Sequence, residues 1–328
     1  MKTTTMRSYE LSPTQEGMLF HHVRGDSTGV DVEQIEGRLE EPLDRDAFRR
    51  AWEEVAETHD QFRVGFEWEG RDEAVQTVHA GIETPFHVED WRELSDTEQE
   101  ERFEHFLASD RRRGFELSEP PLWRVQLFRT GDEQYRFVWS FHHILLDGRS
   151  FPVVLGDVFE AYDAIRSGEE PELEAPRPFS DHVEWVRERD SSEHEDFWSE
   201  ALSGYRNPVK VDLPDPERAD GESDDSEPPR PFGEVSRRLS RSTTDALREL
   251  ERSSDFTMNN LVQGAWALLL SRYSGEQDVV FGAARACRYT SVEDAGDMVG
   301  VFINTLPVRA RIEPERPAAV LMGDLRDW

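Results

Sequence analysis

Residues Phe141–Gly148 read FHHILLDG and place two adjacent histidines, an aspartate and a glycine within one short stretch. The stretch follows Tyr135–Phe141, an aromatic and apolar run that is too short for a helix and rich in strand formers. The histidines should therefore lie where a strand gives way to a loop. Because side chains alternate along a strand, His142 and His143 are expected to face opposite sides and to have different roles.

Asp147 and Gly148 complete this stretch. Glycine tolerates a positive φ, so we expect the chain to turn back at Gly148 and to bring Asp147 against the strand end. A histidine beside an anchored carboxylate is a good general base or hydrogen-bond donor. A lone buried histidine is more often structural, but the pair with Asp-Gly at fixed spacing favours a functional site. A shared zinc ion is disfavoured, because neighbouring strand residues point apart.

The composition is strongly acidic. The formal net charge is −32 over 328 residues, and Lys2 and Lys210 are the only lysines. Such self-repulsion must be screened, and the Debye length falls to about 3 Å in molar salt. We therefore expect a protein from a salt-loaded cytoplasm. An acidic interaction surface is the alternative, although it would not explain the near absence of lysine. The charge balance disfavours nucleic-acid binding, and no nucleic-acid partner is expected.

The single cysteine, Cys287, excludes an internal disulfide and predicts no metal cluster. The N-terminus lacks an apolar core of signal-peptide length, and no stretch approaches the length of a membrane span. The predicted location is the cytoplasm, without a membrane partner.

Cap residues and apolar spacing predict alternating helices and strands along the chain. Pro171–Pro178 is a proline-rich connector and the candidate domain boundary, and the acidic segment Leu213–Pro231 is expected to be a mobile loop. The predicted elements are a helix from the Ser12 N-cap with Pro13 and Gln15, a helix from the Asp44 cap to Thr58, strands Phe62–Trp68 and Ala74–Val78, a hairpin of Leu122–Phe128 with Tyr135–His143, a helix Phe151–Ile165 before Gly168, a helix from Thr257 to Gly275, and strands Asp278–Gly282 and Met298–Arg309.

HHILLDG resembles the HHxxxDG signature of the condensation domains of nonribosomal peptide synthetases, within a superfamily of acyltransferases. Leu11–His21 (LSPTQEGMLFH) resembles the first motif of that family, and Thr58–Phe66 (THDQFRVGF) resembles the second, with Thr58 in place of the usual arginine. Phe179–Trp185 (FSDHVEW) resembles a weaker motif. Val299–Arg309 (VGVFINTLPVR) matches the family's VGxFVNTxxxR pattern almost throughout.

The resemblance implies an α/β fold of two chloramphenicol-acetyltransferase-like subdomains in a V arrangement. We assign residues 1–175 to the first subdomain, which carries HHxxxDG, and residues 176–328 to the second. The second is expected to be truncated, because the family's segment after VGxFVNTxxxR is mostly absent from this sequence.

By resemblance, the chain is an enzyme that forms an amide bond between a donor acyl thioester and an acceptor aminoacyl thioester. Both substrates would be carried on the phosphopantetheine arms of carrier proteins, with no cofactor or metal bound directly. The implied partners are carrier proteins and adenylation domains of a peptide synthetase.

Site residues also follow from the resemblance. His143 would be catalytic, either as a general base or by holding the amine in place. Asp147 would form a salt bridge with Arg288, which follows Cys287 where the family usually has glycine. The remaining implied site residues are His142 for structure, Gly148 for loop shape and Asn304 near the substrate tunnel.

Three alternatives remain open. A non-catalytic or degenerate carrier-protein docking module would bind carriers without forming product. A related HHxxxDG acyltransferase would use a free alcohol or amine as acceptor. An epimerisation domain, which shares the signature, would invert an aminoacyl thioester without an acceptor.

Overall fold

The computed structural model describes residues 4–25, 29–206, 208–211, 235–290 and 292–328. Helices and strands alternate, which confirms the predicted α/β class. The chain forms two compact units, one of Met1–Asp190 with Arg285–Asn304 and one of Ser191–Ala284 with Thr305–Trp328. The predicted boundary after residue 175 falls inside the first unit and stays a prediction. The acidic segment Leu213–Pro231 lies outside the described residues.

The first unit is built on a four-stranded and a three-stranded sheet, in the orders β2-β7-β6-β5 and β1-β4-β3. Its described strand pairs are antiparallel except β5 with β6, which is parallel. The elements are β1 (Thr4–Glu10), α1 (Pro13–Val23), β2 (Val32–Leu39), α2 (Arg45–Thr58), β3 (Val64–Glu67), β4 (Val75–Ala80), β5 (Phe86–Asp90), α3 (Asp96–Arg113), β6 (Trp123–Arg129), β7 (Tyr135–His142), α4 (Ser150–Ser167) and α5 (Phe179–Arg187).

Strand β7 is buried along its whole length, because both faces of the sheet are covered. On one face Trp139 packs against Trp52 of α2 and Phe62, with ring centroids 5.4 and 5.9 Å apart. On the other face Val138 belongs to a separate cluster with Phe103 of α3. The C-terminal end of β7 is therefore held from both sides.

Most local predictions are confirmed. The Ser12 capping box, the Asp44 cap and the left-handed Gly168 at the end of α4 are present. The hairpin of β6 with β7 is also present. The strand predicted from Met298 begins later, at Ile303. Sequence patterns did not predict the elements β1, β2, β5 and α3.

The second unit contains a two-stranded sheet, which packs with the helices Met258–Ser274 and Ala318–Asp327 around a small apolar core. The elements are α6 (Glu195–Ala201), α7 (Arg241–Ser253), α8 (Met258–Ser274), β8 (Asp278–Ala286), β9 (Ile303–Arg311) and α9 (Ala318–Asp327). Thr257 and Gly275 cap α8 as predicted. None of the helices in the described part of the chain combines the length and the apolar composition that a membrane crossing requires.

Two glycines give opposite expectations for the same substitution. A β-carbon on Gly37 of β2 would lie 2.1 Å from the buried Phe137 ring, whereas one on Gly17 of α1 would meet nothing within 4 Å. Gly37→Ala is expected to lower the free energy of unfolding by about 1 to 3 kcal/mol through overpacking. Gly17→Ala should raise it by about 0.5 to 1 kcal/mol, because alanine is the better helix former. Urea unfolding of both variants checks this, and a shift of the same sign in both would contradict it.

Candidate active site

The paired histidines lie where β7 ends. His142 is the last residue of the strand and His143 the first residue of the following turn. The backbone N–H of His143 donates to the Asp31 carbonyl at 2.7 Å, and that of His142 donates to the Leu122 carbonyl at 2.9 Å. Both neighbouring segments thus hold the histidine backbone in place.

The imidazole of His143 is half-buried and is oriented by a backbone group. Its Nδ1 lies 2.9 Å from the Leu146 carbonyl oxygen. Because a carbonyl oxygen only accepts, Nδ1 must carry the proton and donate it. In the neutral ring, Nε2 therefore keeps its lone pair and can accept a proton.

His142 has a different environment. Its side chain is buried, and its Nδ1 accepts a hydrogen bond from the Ile144 N–H at 3.2 Å. Burial lowers the pKa of His142 to about 3, and the neighbouring His22 and His143 add to the effect. The His22 ring packs edge-on against it with centroids 5.6 Å apart. His142 is therefore neutral at physiological pH and shapes the loop.

The neutral state of His142 makes stability depend on pH. The unfolded side chain binds a proton below about pH 6.5, whereas the folded one binds it only near pH 3. The contribution of the neutral His142 to stability is therefore complete above the unfolded pKa of about 6.5. It decreases as the pH falls from there towards the folded pKa of about 3.

The variant His142→Asn retains an acceptor for the Ile144 N–H but does not titrate. We expect its free energy of unfolding, measured by urea unfolding between about pH 4.5 and pH 6.5, to fall less steeply with acidification than that of the wild type. The difference should be up to about 1.4 kcal/mol per pH unit for one proton. Identical slopes for the two proteins would contradict the assignment.

Asp147 and Arg288 form a fully buried ion pair. Asp147 is 0% exposed and Arg288 1% exposed, and the Asp147 Oδ1 accepts from Arg288 Nη2 at 3.1 Å. The Asp147 Oδ2 accepts from the Phe302 N–H at 2.9 Å, and the Asp147 N–H donates to the Gly300 carbonyl at 3.1 Å. The loop after the histidines is thereby tied to the segment at residues 300–302.

Arg288 makes further contacts that offset the energetic cost of burying its charge. Its Nη1 donates to the carbonyl oxygens of Ala295 and Met298, and its guanidinium lies 4.1 Å from the centroid of the Phe302 ring. Burial lowers the pKa of Arg288, and the adjacent Asp147 carboxylate opposes that effect. The pair is compensated only while both partners are present.

The prediction for Gly148 was wrong in its mechanism. Gly148 is exposed and is not among the glycines with positive φ, and a β-carbon there would meet only Phe151, at 3.9 Å. The turn is closed instead by Asp147, whose Oδ1 accepts from the Arg149 N–H at 3.1 Å and whose carbonyl accepts from the Ser150 N–H at 2.9 Å. A carboxylate that binds the backbone two residues on makes a turn without a left-handed residue.

Asn304 and Cys287 lie near this network. Asn304 is exposed at the start of β9, so the structure does not bring its side chain into the buried pair. Cys287 is half-buried, and burial raises the pKa of its thiol. Its N–H donates to the Phe302 carbonyl at 3.3 Å.

Sequence reasoning missed two side chains that hold the loop. Gln15 donates from Nε2 to the Ile144 carbonyl at 3.1 Å, while its Oε1 accepts from Gln76 Nε2 at 2.9 Å. Ser150 Oγ donates to the Gly300 carbonyl at 3.1 Å and accepts from Arg288 Nη2 at 3.0 Å. The sequence pattern that could have identified Gln15 is its position four residues before Leu19, which places this polar side chain on the buried face of α1.

No group of three or more His, Cys, Asp and Glu side chains in the described ranges is arranged to hold a metal ion. The ring nitrogens Nδ1 of His142 and His143 are both engaged with backbone groups. What the site offers chemically is a proton acceptor, His143 Nε2, on a loop that buried hydrogen bonds keep fixed.

Comparison with known families decides what kind of domain this is. A family model described as "Condensation domain" matches residues 5–327. The chain belongs to the condensation domain family. Condensation domains of nonribosomal peptide synthetases are acyltransferases that form amide bonds, so the predicted family and enzyme class are confirmed.

The curated relatives are large synthetases. This condensation domain is 39% identical over 320 residues to one of the linear gramicidin synthase subunits of Brevibacillus parabrevis, covering 98% of this chain and 4% of the relative. It is 34% identical over 316 residues to bacitracin synthase 3 of Bacillus licheniformis, covering 96% of this chain and 5% of the relative. The chain thus spans a small part of the relatives that it matches.

Solved structures show the same fold. The first condensation domain of the calcium-dependent antibiotic synthetase, in complex with a substrate analogue, matches with a TM-score of 0.79 at 19% identity, covering 98% of this chain and 73% of that chain. The four-domain synthetase holo-AB3403 matches with a TM-score of 0.78 at 18% identity, covering all of this chain and 24% of that one. The predicted acyltransferase-like α/β fold is confirmed by this likeness.

Proposed function

We propose that this condensation domain forms an amide bond between a donor acyl thioester and an acceptor aminoacyl thioester in nonribosomal peptide synthesis. His143 is its catalytic residue. The observation that carries the proposal is the hydrogen bond from His143 Nδ1 to the Leu146 carbonyl, which leaves Nε2 as an acceptor. A fixed acceptor is what the amine of the second substrate requires.

The proposed step balances with one proton acceptor. The acceptor amine attacks the donor thioester carbonyl, so a C–N bond forms and the C–S bond breaks. The amine loses a proton as it becomes an amide nitrogen, and the leaving thiolate needs one. His143 Nε2 takes up the amine proton and passes it to the leaving sulfur, so that the thiol leaves neutral. If His143 only holds the amine for attack, the same proton moves from the nitrogen to the sulfur without residing on the imidazole.

The supporting roles follow from the contacts. Asp147 and Arg288 hold the loop through their buried ion pair. His142 remains neutral and supports the Ile144 backbone. Gly148 leaves the exposed turn without a side chain, and Asn304 is assigned to the substrate path because its side chain is exposed.

We assign the substrates to phosphopantetheine arms of carrier proteins, with carrier proteins and adenylation domains as partners. The relatives belong to peptide synthetases, which supports this assignment. A cytoplasmic, salt-adapted setting is proposed from the net charge of −32 and from the two lysines against 70 acidic residues.

Single-turnover peptide formation tests the function. Two carrier-bound aminoacyl thioesters are mixed with the wild type in molar KCl, and the product is read by intact mass. Peptide on the acceptor carrier is the expected result. No product from a protein that is folded in the same salt would favour a docking module instead, and inversion of one aminoacyl thioester without an acceptor would favour epimerisation.

A further inference from the structure

Asp31 carries an unusual carboxylate oxygen. Of the buried carboxylate oxygens in the described part of the chain, only Oδ2 of Asp31 has no hydrogen-bond partner. None of the arginines in that part forms an ion pair with Asp31. Burying a charged oxygen without a partner costs free energy, so its presence requires an explanation. A role at a functional site is one such explanation.

Asp31 lies directly opposite His143. Val32 of β2 pairs with His142 of β7 in antiparallel register, so the next pair in that direction is Asp31 with His143. The His143 N–H donates to the Asp31 carbonyl oxygen at 2.7 Å, which extends the ladder by this step. Residues directly opposite each other place their side chains on the same face, with β-carbons about 4.5 to 5.5 Å apart. The Asp31 carboxylate therefore lies on the face of His143 and not on that of His142.

The surroundings of Asp31 are fixed and partly apolar. The Val32 N–H donates to the Gly29 carbonyl at 3.4 Å and closes the turn that contains Asp31. Phe141, the preceding residue of β7 on the His143 face, is buried and packs on Phe151 with ring centroids 5.3 Å apart. Electrostatic interactions are stronger next to such apolar groups than in water.

We propose that the Asp31 carboxylate stabilises the positive charge that develops beside His143 when the acceptor amine attacks. The inference rests on the proposed function and adds to it a further residue for the same reaction. Asp31 acts through His143 and the reacting amine without taking up a proton itself, so it is a positioning residue.

The charges in the proposed step explain this role. The amine nitrogen becomes positive as the C–N bond forms, and the charge moves to the imidazole if Nε2 takes the proton. It disappears when the proton reaches the leaving sulfur. A fixed anion on the face of His143 lowers the energy of both cations. Because neither cation exists in the resting protein, the Asp31 oxygen remains unpaired there at a cost in stability.

Asp31→Asn tests the proposal, because it removes the charge and keeps the shape. At saturating concentrations of both carrier-bound thioesters, its single-turnover rate should be about 10 to 100-fold lower than that of the wild type. The half-saturating concentrations should not change, since the charge exists only in the transition state. The urea midpoint should be at least as high as that of the wild type, because a neutral amide is cheaper to bury.

Two further variants show whether the charge at residue 31 matters. Asp31→Glu keeps the charge and should be faster than Asp31→Asn. The matched control is Glu33→Gln, since Glu33 is also half-buried and lies on the same face of β2, opposite Phe141. It should retain the wild-type rate. A rate loss in Asp31→Asn that comes with a lower urea midpoint would overturn the proposal, because Asp31 would then be structural.

A second measurement does not depend on peptide formation. Diethyl pyrocarbonate forms a bond to Nε2 and places a positive charge on the imidazole as it reacts. At pH 8, where an ordinary histidine is neutral, tandem mass spectrometry follows the modification of His143. The reaction should be about 3 to 10-fold slower in Asp31→Asn than in the wild type and unchanged in Glu33→Gln. Equal rates in the wild type and Asp31→Asn would overturn the role of Asp31.

The two measurements separate this inference from the proposed function. Slower modification of His143 in Asp31→Asn, in a protein that forms no peptide, supports the role of Asp31 while the proposed function fails. Peptide formation at the same rate in the wild type and Asp31→Asn removes the role of Asp31 alone.

Discussion

Replacing His143 by alanine is expected to lower the single-turnover rate of peptide formation about 10² to 10⁴-fold. The variant removes Nε2, the acceptor that the Leu146 hydrogen bond leaves free. It leaves the Asp147–Arg288 ion pair and the His142 contacts untouched, so the fold should persist. The rate is measured with both carrier-bound thioesters in molar KCl, together with the urea midpoint of the same preparation.

The control for this variant is His105→Ala, which removes an exposed histidine of α3. His105→Ala should retain the wild-type rate. A loss below about tenfold in His143→Ala, with carriers still bound, would reject proton transfer by His143. The docking-module alternative predicts carrier binding that His143→Ala leaves unchanged, and no product from either protein.

Breaking the buried ion pair should be the most destabilising change in the site. Arg288→Met leaves the Asp147 carboxylate fully buried without its counter-charge. Asp147→Asn likewise leaves the Arg288 guanidinium buried without its counter-charge. Each is expected to lower the free energy of unfolding by about 3 to 5 kcal/mol. Urea unfolding at constant molar KCl measures the loss, because salt screens a buried pair much less than an exposed one.

Two further variants sharpen this prediction. The double variant Asp147→Asn/Arg288→Met should lose less than the sum of the two single losses, since it leaves no uncompensated charge. Arg252→Ala breaks the exposed pair of Arg252 with Glu249 and should change stability by less than about 1 kcal/mol. A loss in Arg288→Met no larger than that in Arg252→Ala would contradict a structural role for the pair.

Features set by neighbouring residues could be predicted from the sequence. The Ser12 and Asp44 caps and the β6–β7 hairpin depend on residues close in the chain, and they are present. The φ of Gly148 was mispredicted because the Asp147 carboxylate closes the turn and makes a left-handed residue unnecessary.

Pairings between distant residues could not be read from spacing. Asp147 and Arg288 are 141 positions apart, and only the family resemblance suggested that they meet. Strand β2 was missed because its half-exposed side carries charges, and its partner β7 lies far along the chain. The contact of Gln15 with the Ile144 carbonyl was missed for the same reason, since the two residues are 129 positions apart.

The group that orients His143 is a main-chain group, the Leu146 carbonyl, which fixes the proton on His143 Nδ1. Substitution of side chains therefore cannot detect its role. Every amino acid placed at residue 146 carries the same oxygen, so substitutions there report only how well the buried Leu146 side chain packs. Only a chemical change to the main chain, such as a thioamide at residue 146 introduced by semisynthesis, would weaken the acceptor. The imidazole would then be free to exchange its two neutral tautomers. Amino-acid substitutions during evolution can therefore change the side chains around His143 without changing which ring nitrogen carries the proton.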